Sequence, residues 1–291
     1  MCPPRATIVS LLRAVALISF FPPLPKQCKL IRTFSGPIIV LVNILIIIAC
    51  VAGAVGFLFA VTRTSPAHSR TESNDFTGAV VAVIGTTYAV LLAFMLSGVW
   101  NLYEEAQVNA EQEANDLVNV YRISAQLDDP ARVQIQSLAL KYARNAIETE
   151  FPALSDMILP PQGGQLVAEM WKEAGAFKAS NANQQIYLSE LINTLRGFTE
   201  HRRIRIMQSR EMLPPILWAV LIAGGVITVA AACFFGVPNF RFHLLQVTVL
   251  SFLIALVLVA IADIDRPYQG DVKVSPDGFE FAMQTFHSGE Q

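Results

Sequence analysis

Four stretches without a single Asp, Glu, Lys or Arg constrain this chain more than any other feature: residues 37–61, 76–103, 216–237 and 242–262. A helix needs about 20 mostly apolar residues to cross roughly 30 Å of hydrocarbon, and each stretch supplies that length. Composition points the same way. Of 291 residues, 53% are apolar and 15% charged, and the mean hydropathy is +0.47, which is too greasy for a soluble domain of this size. The sequence therefore predicts an all-α integral membrane protein, with four transmembrane helices and a long helical cytoplasmic segment between the second and third.

The net charge of −2 and pI near 6.1 give no reason to expect nucleic acid as a partner; the lipid bilayer is the expected one. Cys2, Cys28, Cys50 and Cys233 show no metal-ligand spacing, so neither zinc site nor disulfide framework is expected. No cofactor is expected either.

Residues 1–36 form a basic, apolar leader. Its run "ATIVSLLRAVALISFF" is interrupted by Arg13 and followed by "PPLP". Short runs broken by charge lie in the membrane interface, and that is the reading preferred here over a fifth span or a signal sequence. Orientation follows from Lys and Arg near the spans. Arg5, Arg13, Lys26, Lys29 and Arg32 precede the first span, and Arg196, Arg202, Arg203, Arg205 and Arg210 precede the third. Two spans separate these clusters, so both fall on the cytoplasmic side of the cell membrane. The chain then divides into a leader (1–36), the first two spans (37–103), a cytoplasmic helical segment (104–215), the last two spans (216–262) and a cytoplasmic tail (263–291), with both termini inside.

Tyr103, Ala106, Ala110, Ala114, Leu117 and Tyr121 recur every three or four residues, so the second span is expected to continue into the cytoplasm as one amphipathic helix. "DDP", residues 128–130, offers an N-cap aspartate and a proline for the next helix. That helix is expected to end near Phe151, since Pro152 disfavours helix in the residue before it. "PPQGG", residues 160–164, reads as a loop. Leu188, Leu191, Leu195 and Phe198 have helix-packing spacing, and Pro214 with Pro215 opens the third span.

Catalytic patterns are missing. His68, His201, His243 and His287 are scattered without ligand partners at motif spacing, and no nucleophile elbow, Walker loop or dinucleotide fingerprint occurs. Glu104, Glu105, Glu111, Glu113 and Asp116 read as solvated helix faces. Glu113 and Arg122 are too far apart to pair on one helix, so each is expected to meet other parts of the bundle, such as Glu150 or the arginines near 203. An enzyme is not expected.

The second span carries a stripe of small residues, Gly78, Ala82, Gly85, Ala89, Ala93 and Ser97, at steps of three and four. Such a stripe either lets a neighbouring helix approach or faces a water-filled path. Packing is the preferred reading, which leaves the bulkier face of Ile84, Tyr88, Leu91 and Met95 to narrow an axial path. Asp75, Glu104 and Glu105 flank the span and would form acidic rings in an assembly, which favour cations. Asn74 and Asp75 are also suited to capping the helix start. Arg202, Arg203, Arg205 and Arg210 form a basic cluster explained by topology and by attraction to anionic lipid.

Several segments together resemble one family. "NDFTG" opening an apolar helix with "TTYAVLLAF", then "EANDLVNVYR" at 113–122, "EFP" at 150–152, "EHRRIR" at 200–205, "LPPILW" at 213–218 and "DRPYQG" at 265–270 are similar to the bacterial membrane family of unknown function labelled bestrophin-like, from about Asn74 to Phe279. Bestrophins proper are pentameric anion channels whose second membrane helix lines the pore. The resemblance therefore implies a homo-oligomeric ion channel, with inorganic ions as its cargo and anions expected. The acidic calcium-binding run of animal bestrophins is not reproduced here. A non-conducting membrane scaffold or sensor, whose cytoplasmic helices bind a protein partner, is the alternative.

Overall fold

The computed structural model describes residues 35–64, 74–270 and 272–288; the leader expectation falls on residues outside this set. The chain forms two units, Met1–Ile38 and Ile39–Gln291. Of the first, only the opening turn of a helix is described; the second holds the rest of the described residues.

Helices make up every regular element among the described residues. α1 is Ser35–Thr64 and α2 Asn74–Ser124. α3 is Ala131–Asn145, followed by a π-helical turn, Ala146–Glu150, and the short α4, Phe151–Leu154. α5 is Gln162–Ala176, α6 Ala182–Gln208, α7 Pro215–Cys233, α8 Phe240–Ile264 and α9 Asp277–Ser288. Four of them, α1, α2, α7 and α8, are long and apolar enough to cross a membrane, matching the four expected stretches. Helix is the form such stretches must take, because hydrocarbon offers no partner for an unpaired backbone N–H or C=O.

α2 is the backbone of the architecture. Its 51 residues extend about 77 Å at 1.5 Å per residue, so one continuous helix crosses the bilayer and then supports the rest of the fold. Beyond the span its buried face is narrow and small: Ala106, Ala110 and Ala114 are almost inaccessible. Small side chains bring neighbours close, and α6 and α9 settle against this seam. A β-carbon added at Gly278 of α9 would lie 3.1 Å from Ala114 Cβ. Leu191, Leu195 and Phe198 of α6 join Leu117, Tyr142 and Phe279 in one apolar core, as the spacing of the α6 residues predicts.

In the membrane region, α2 packs through Tyr88, Leu92 and Val99 against Leu221, Ile254 and Ile261 of α7 and α8. α1 instead meets the far end of that helix pair, through Ala54, Leu58 and Val61 beside Cys233 and Val247.

Three local expectations are corrected. Pro152 does not end a helix at Phe151. The π-helical turn before it widens the backbone, and Pro152 falls in the first turn of α4, where no intrahelical donor is required. The aspartates of "DDP" do not cap α3 through their side chains; Asp129 instead receives Arg132 at 3.1 and 3.0 Å. Part of "PPQGG" is helical, because α5 begins at Gln162.

Candidate functional site

Within the single chain the bulky face of α2 is the one that packs, and the small stripe is left uncovered. Tyr88 is 6% exposed, and its hydroxyl donates to the Leu221 carbonyl at 2.9 Å. Its ring fills the space left by two glycines of α7: a β-carbon at Gly224 would sit 2.6 Å from the ring, and one at Gly225 2.9 Å from the hydroxyl. Leu91 and Met95 pack into the same cluster, so this face is consumed inside the subunit. Gly78 meets only the edge of Phe235, and Gly85 has nothing within 4 Å of its would-be β-carbon. Ala82, Ala89, Ala93 and Ser97 are exposed, as are Ala79 and Thr86. Size decides the outcome: the helix pair α7–α8 gains more from burying Tyr88, Leu92 and Val99 than from burying a row of alanines.

The exposed face therefore runs from Asp75 through Ala79, Ala82, Thr86, Ala93 and Ser97 to Glu104, Glu105 and Glu111, all of them uncovered. Apart from Glu105, which lies a further turn of about 100° round the helix, these positions recur at helical spacing along one side. Asn101, Glu104, Glu105 and Gln112 also line a shallow groove of about 380 Å³ at the end of the span.

Asn74 reaches away from its own helix. Its carboxamide clasps the turn between α7 and α8, donating to the Gly236 carbonyl at 2.8 Å and accepting from the Gly236 amide at 2.9 Å. Two of the sequence motifs meet at the other end of that pair. Asp265 of "DRPYQG" accepts from the Leu213 amide at 2.7 Å and from Trp218 Nε1 at 3.3 Å, both in "LPPILW". Asp265 thus satisfies a free N–H ahead of α7 and ties its start to the end of α8.

The basic cluster separates into different environments. Arg205 is fully buried, not at a lipid surface: Nε lies 2.6 Å from Glu113 and Nη2 2.6 Å from Glu150. Tyr142 donates to Glu113 at 2.5 Å, and the Arg205 guanidinium stands 4.9 Å over the Phe151 ring. Arg202 pairs with the other Glu150 oxygen at 2.6 Å. Two carboxylates thus face two guanidinium groups, which makes the group neutral and explains how four charges tolerate burial. Burial alone would lower the pKa of Arg205, but Glu113 and then Tyr142 and Glu150 hold it well above its usual value. Burial, reinforced by Glu113, pushes the Tyr142 hydroxyl well above the ordinary phenol range. Gly163 completes the fit, since any β-carbon there would overlap the Glu150 carboxylate. Arg203, by contrast, is exposed and pairs with Glu200 at 2.6 Å, and Arg210 is exposed.

Glu113 is accordingly a core residue and not a solvated one. The expectation that it meets a distant arginine holds, with Arg205 as the partner. One register up, Asn109 and His201 hold each other: Asn109 Nδ2 donates to the His201 carbonyl at 2.9 Å, and the ring Nδ1 lies 2.9 Å from Asn109 Oδ1. Among the described residues, no group of three or more His, Cys, Asp or Glu is placed to hold a metal ion.

The sequence model of the bestrophin-like domain matches residues 48–279. This chain belongs to the bestrophin-like family. The bestrophin-like region starts within α1 and ends at the beginning of α9, so it takes in the second half of the first span, the other three spans and the Glu113–Glu150–Arg205 group. Solved structures similar to it include a bacterial bestrophin homologue from Klebsiella pneumoniae, crystallised as a leucine-to-threonine mutant. That chain is 12% identical, with 83% of this chain and 98% of that chain covered and a TM-score of 0.62. A tyrosine-to-alanine mutant of a Klebsiella homologue gives 12% identity, 84% and 98% coverage and a TM-score of 0.60. A structure described as a membrane protein gives 12%, 83%, 97% and 0.59. At such identity the likeness shows the shared fold. No curated protein matches by sequence. The bestrophin-like chain is thus a multi-pass membrane protein with a bestrophin fold.

Proposed function

We propose that this chain assembles with copies of itself into a ring in the cell membrane and conducts inorganic ions along an axial path lined by the uncovered face of α2. The observation that carries the proposal is an exposed strip of α2 made of Ala79, Ala82, Thr86, Ala93 and Ser97, beside an exposed apolar strip of Val83 and Phe94, while Tyr88 is buried and Leu91 and Met95 half-buried against the rest of the chain. A face meant only for lipid gains from bulk; small and hydroxylated residues suit a narrow polar path. The helical segment after the second span and both termini lie on the cytoplasmic side, on the strength of the basic clusters.

Selectivity for cations is the reading the side chains support. Asp75, Glu104, Glu105 and Glu111 lie on the uncovered face, and the first basic residue of α2 is Arg122. Rings of carboxylates favour cations and rings of Arg or Lys favour anions. Arg205 and Arg202 are committed to Glu113 and Glu150 inside the subunit, and the exposed Arg203 and Arg210 belong to α6 and the turn after it, not to α2. The implication of anion conduction rests on resemblance to bestrophins proper, and the local chemistry outweighs it.

Cysteine substitution tests the lining. In reconstituted protein, Ser97→Cys treated with a charged, water-soluble thiol reagent reduces the ion flux, whereas Met95→Cys reacts slowly and leaves flux unchanged. The opposite pattern would return the path to the bulky face.

A further inference from the structure

A concavity of about 560 Å³ opens where α2, α3, the π-helical turn and α9 meet, away from the uncovered face of α2. That volume falls in the range that holds small organic ligands. Lys141 and Arg144 supply positive charge to its walls, and Glu148 is the only acidic residue among the described lining. Lys141 and Arg144 are neighbours at i and i+3 on one face of α3, and among the described residues neither forms an ion pair. His287 adds an acceptor of fixed tautomer. Its Nδ1 lies 2.6 Å from the Met283 carbonyl, which can only accept, so Nδ1 carries a proton and Nε2 is left for a ligand.

Asn145, in the same wall, has an unsatisfied donor that is closed to solvent: its Nδ2 is buried without a hydrogen-bond partner among the described residues. Native proteins rarely leave a buried donor unsatisfied. Asn145 is also the last residue before the π-helical turn, a backbone irregularity that recurs at functional sites.

We propose that this concavity binds a soluble sugar phosphate. Arg144 and Lys141 match a phosphate, whose oxygens accept several charge-assisted bonds, and His287 Nε2 can accept from a sugar hydroxyl. Gln136, Ser137, Asn145, Glu148 and Thr149 offer the mix of donors and acceptors that a ring bearing hydroxyl groups requires. A membrane lipid headgroup fits the position poorly. Tyr121, which lines the concavity, is 18 residues beyond Tyr103 on the continuous α2, about 27 Å along the helix axis.

Titration calorimetry on the full chain in nanodiscs of phosphatidylcholine tests the proposal, with glucose 6-phosphate as probe and glucose and inorganic phosphate as comparisons. Binding of glucose 6-phosphate, absence of binding by glucose and weaker binding by inorganic phosphate are expected. Lys141→Ala and Arg144→Ala, both at exposed positions, are each expected to weaken binding about tenfold, equivalent to about 1.4 kcal/mol. Their melting temperature without ligand should stay unchanged. Silence of the native chain toward glucose 6-phosphate overturns the proposal, as does undiminished affinity in a Lys141→Ala/Arg144→Ala double variant. Equal affinity for inorganic phosphate and glucose 6-phosphate overturns the sugar assignment. If nanodiscs carrying a phosphoinositide displace the probe, the headgroup of a lipid is the ligand and the soluble source is refuted.

Discussion

Arg205 Nε lies 2.6 Å from Glu113 Oε2, with both side chains wholly inaccessible and the two residues 92 positions apart in the chain. The contact fixes the register of α6 on α2, the most extensive helix pairing of the fold. Since α6 leads into α7 and α2 contains the second span, the same contact couples the helices outside the spans to the membrane helices.

Arg205→Met is expected to leave Glu113 buried without a cation, and Glu150 with Arg202 alone, a loss of about 3–5 kcal/mol. Combining it with Glu113→Leu should recover part of that loss, because an apolar replacement removes the stranded charge. Arg203→Met, which breaks only the exposed pair with Glu200, should leave stability nearly unchanged. Melting curves of the three variants in detergent check this; equal losses for Arg205→Met and Arg203→Met would contradict the assignment.

Asn74→Ala removes two hydrogen bonds to Gly236. At roughly 0.5–1.5 kcal/mol for each bond, the expected loss is about 1–3 kcal/mol, read as a lower denaturant midpoint. If Asn74→Asp retained full stability, the donated bond to the Gly236 carbonyl would be dispensable, contrary to this account.

Gly224→Ala places a methyl group 2.6 Å from the Tyr88 ring and is expected to destabilise by about 1–3 kcal/mol through overpacking. Gly85→Ala, with open space at the same distance, should be neutral or stabilising within the chain. A thermal-stability comparison separates the two faces of α2.

Asp116 has a raised pKa, chiefly from burial, with His201 lowering it and Glu113 raising it. A carboxyl whose folded pKa exceeds its unfolded value favours folding while protonated, and that contribution is lost as pH rises through the folded pKa. Asp116→Asn is therefore expected to be more stable than the native chain at neutral pH. The difference should vanish below the ordinary value of 3.8. A variant less stable at neutral pH than at acidic pH, relative to the native chain, would reverse the sign.

The membrane helices are legible in sequence because hydrocarbon imposes one simple rule, a long run without charge, and residues 37–61, 76–103, 216–237 and 242–262 obey it. The α6 seam is legible for a related reason: Leu188, Leu191, Leu195 and Phe198 are apolar and periodic. Buried charges escape that logic. Glu113 and Arg205 look like solvated or lipid-facing residues when judged by type alone. Their register holds the signal, since Glu113 continues the seam of Ala106, Ala110 and Leu117, and Arg205 continues that of Leu195 and Phe198. Which face of α2 is uncovered is not readable either. It depends on Gly224 and Gly225 making room for Tyr88, a pairing between segments more than 100 residues apart.

The central claim is that a ring of these chains conducts cations past the uncovered face of α2. Reconstitution into a planar bilayer under asymmetric potassium chloride tests it most directly, through the reversal potential. A value near the potassium equilibrium potential, shifting toward zero in Glu104→Gln/Glu105→Gln, is the predicted result; a value near the chloride equilibrium potential, or no conductance from verified oligomers, would contradict it.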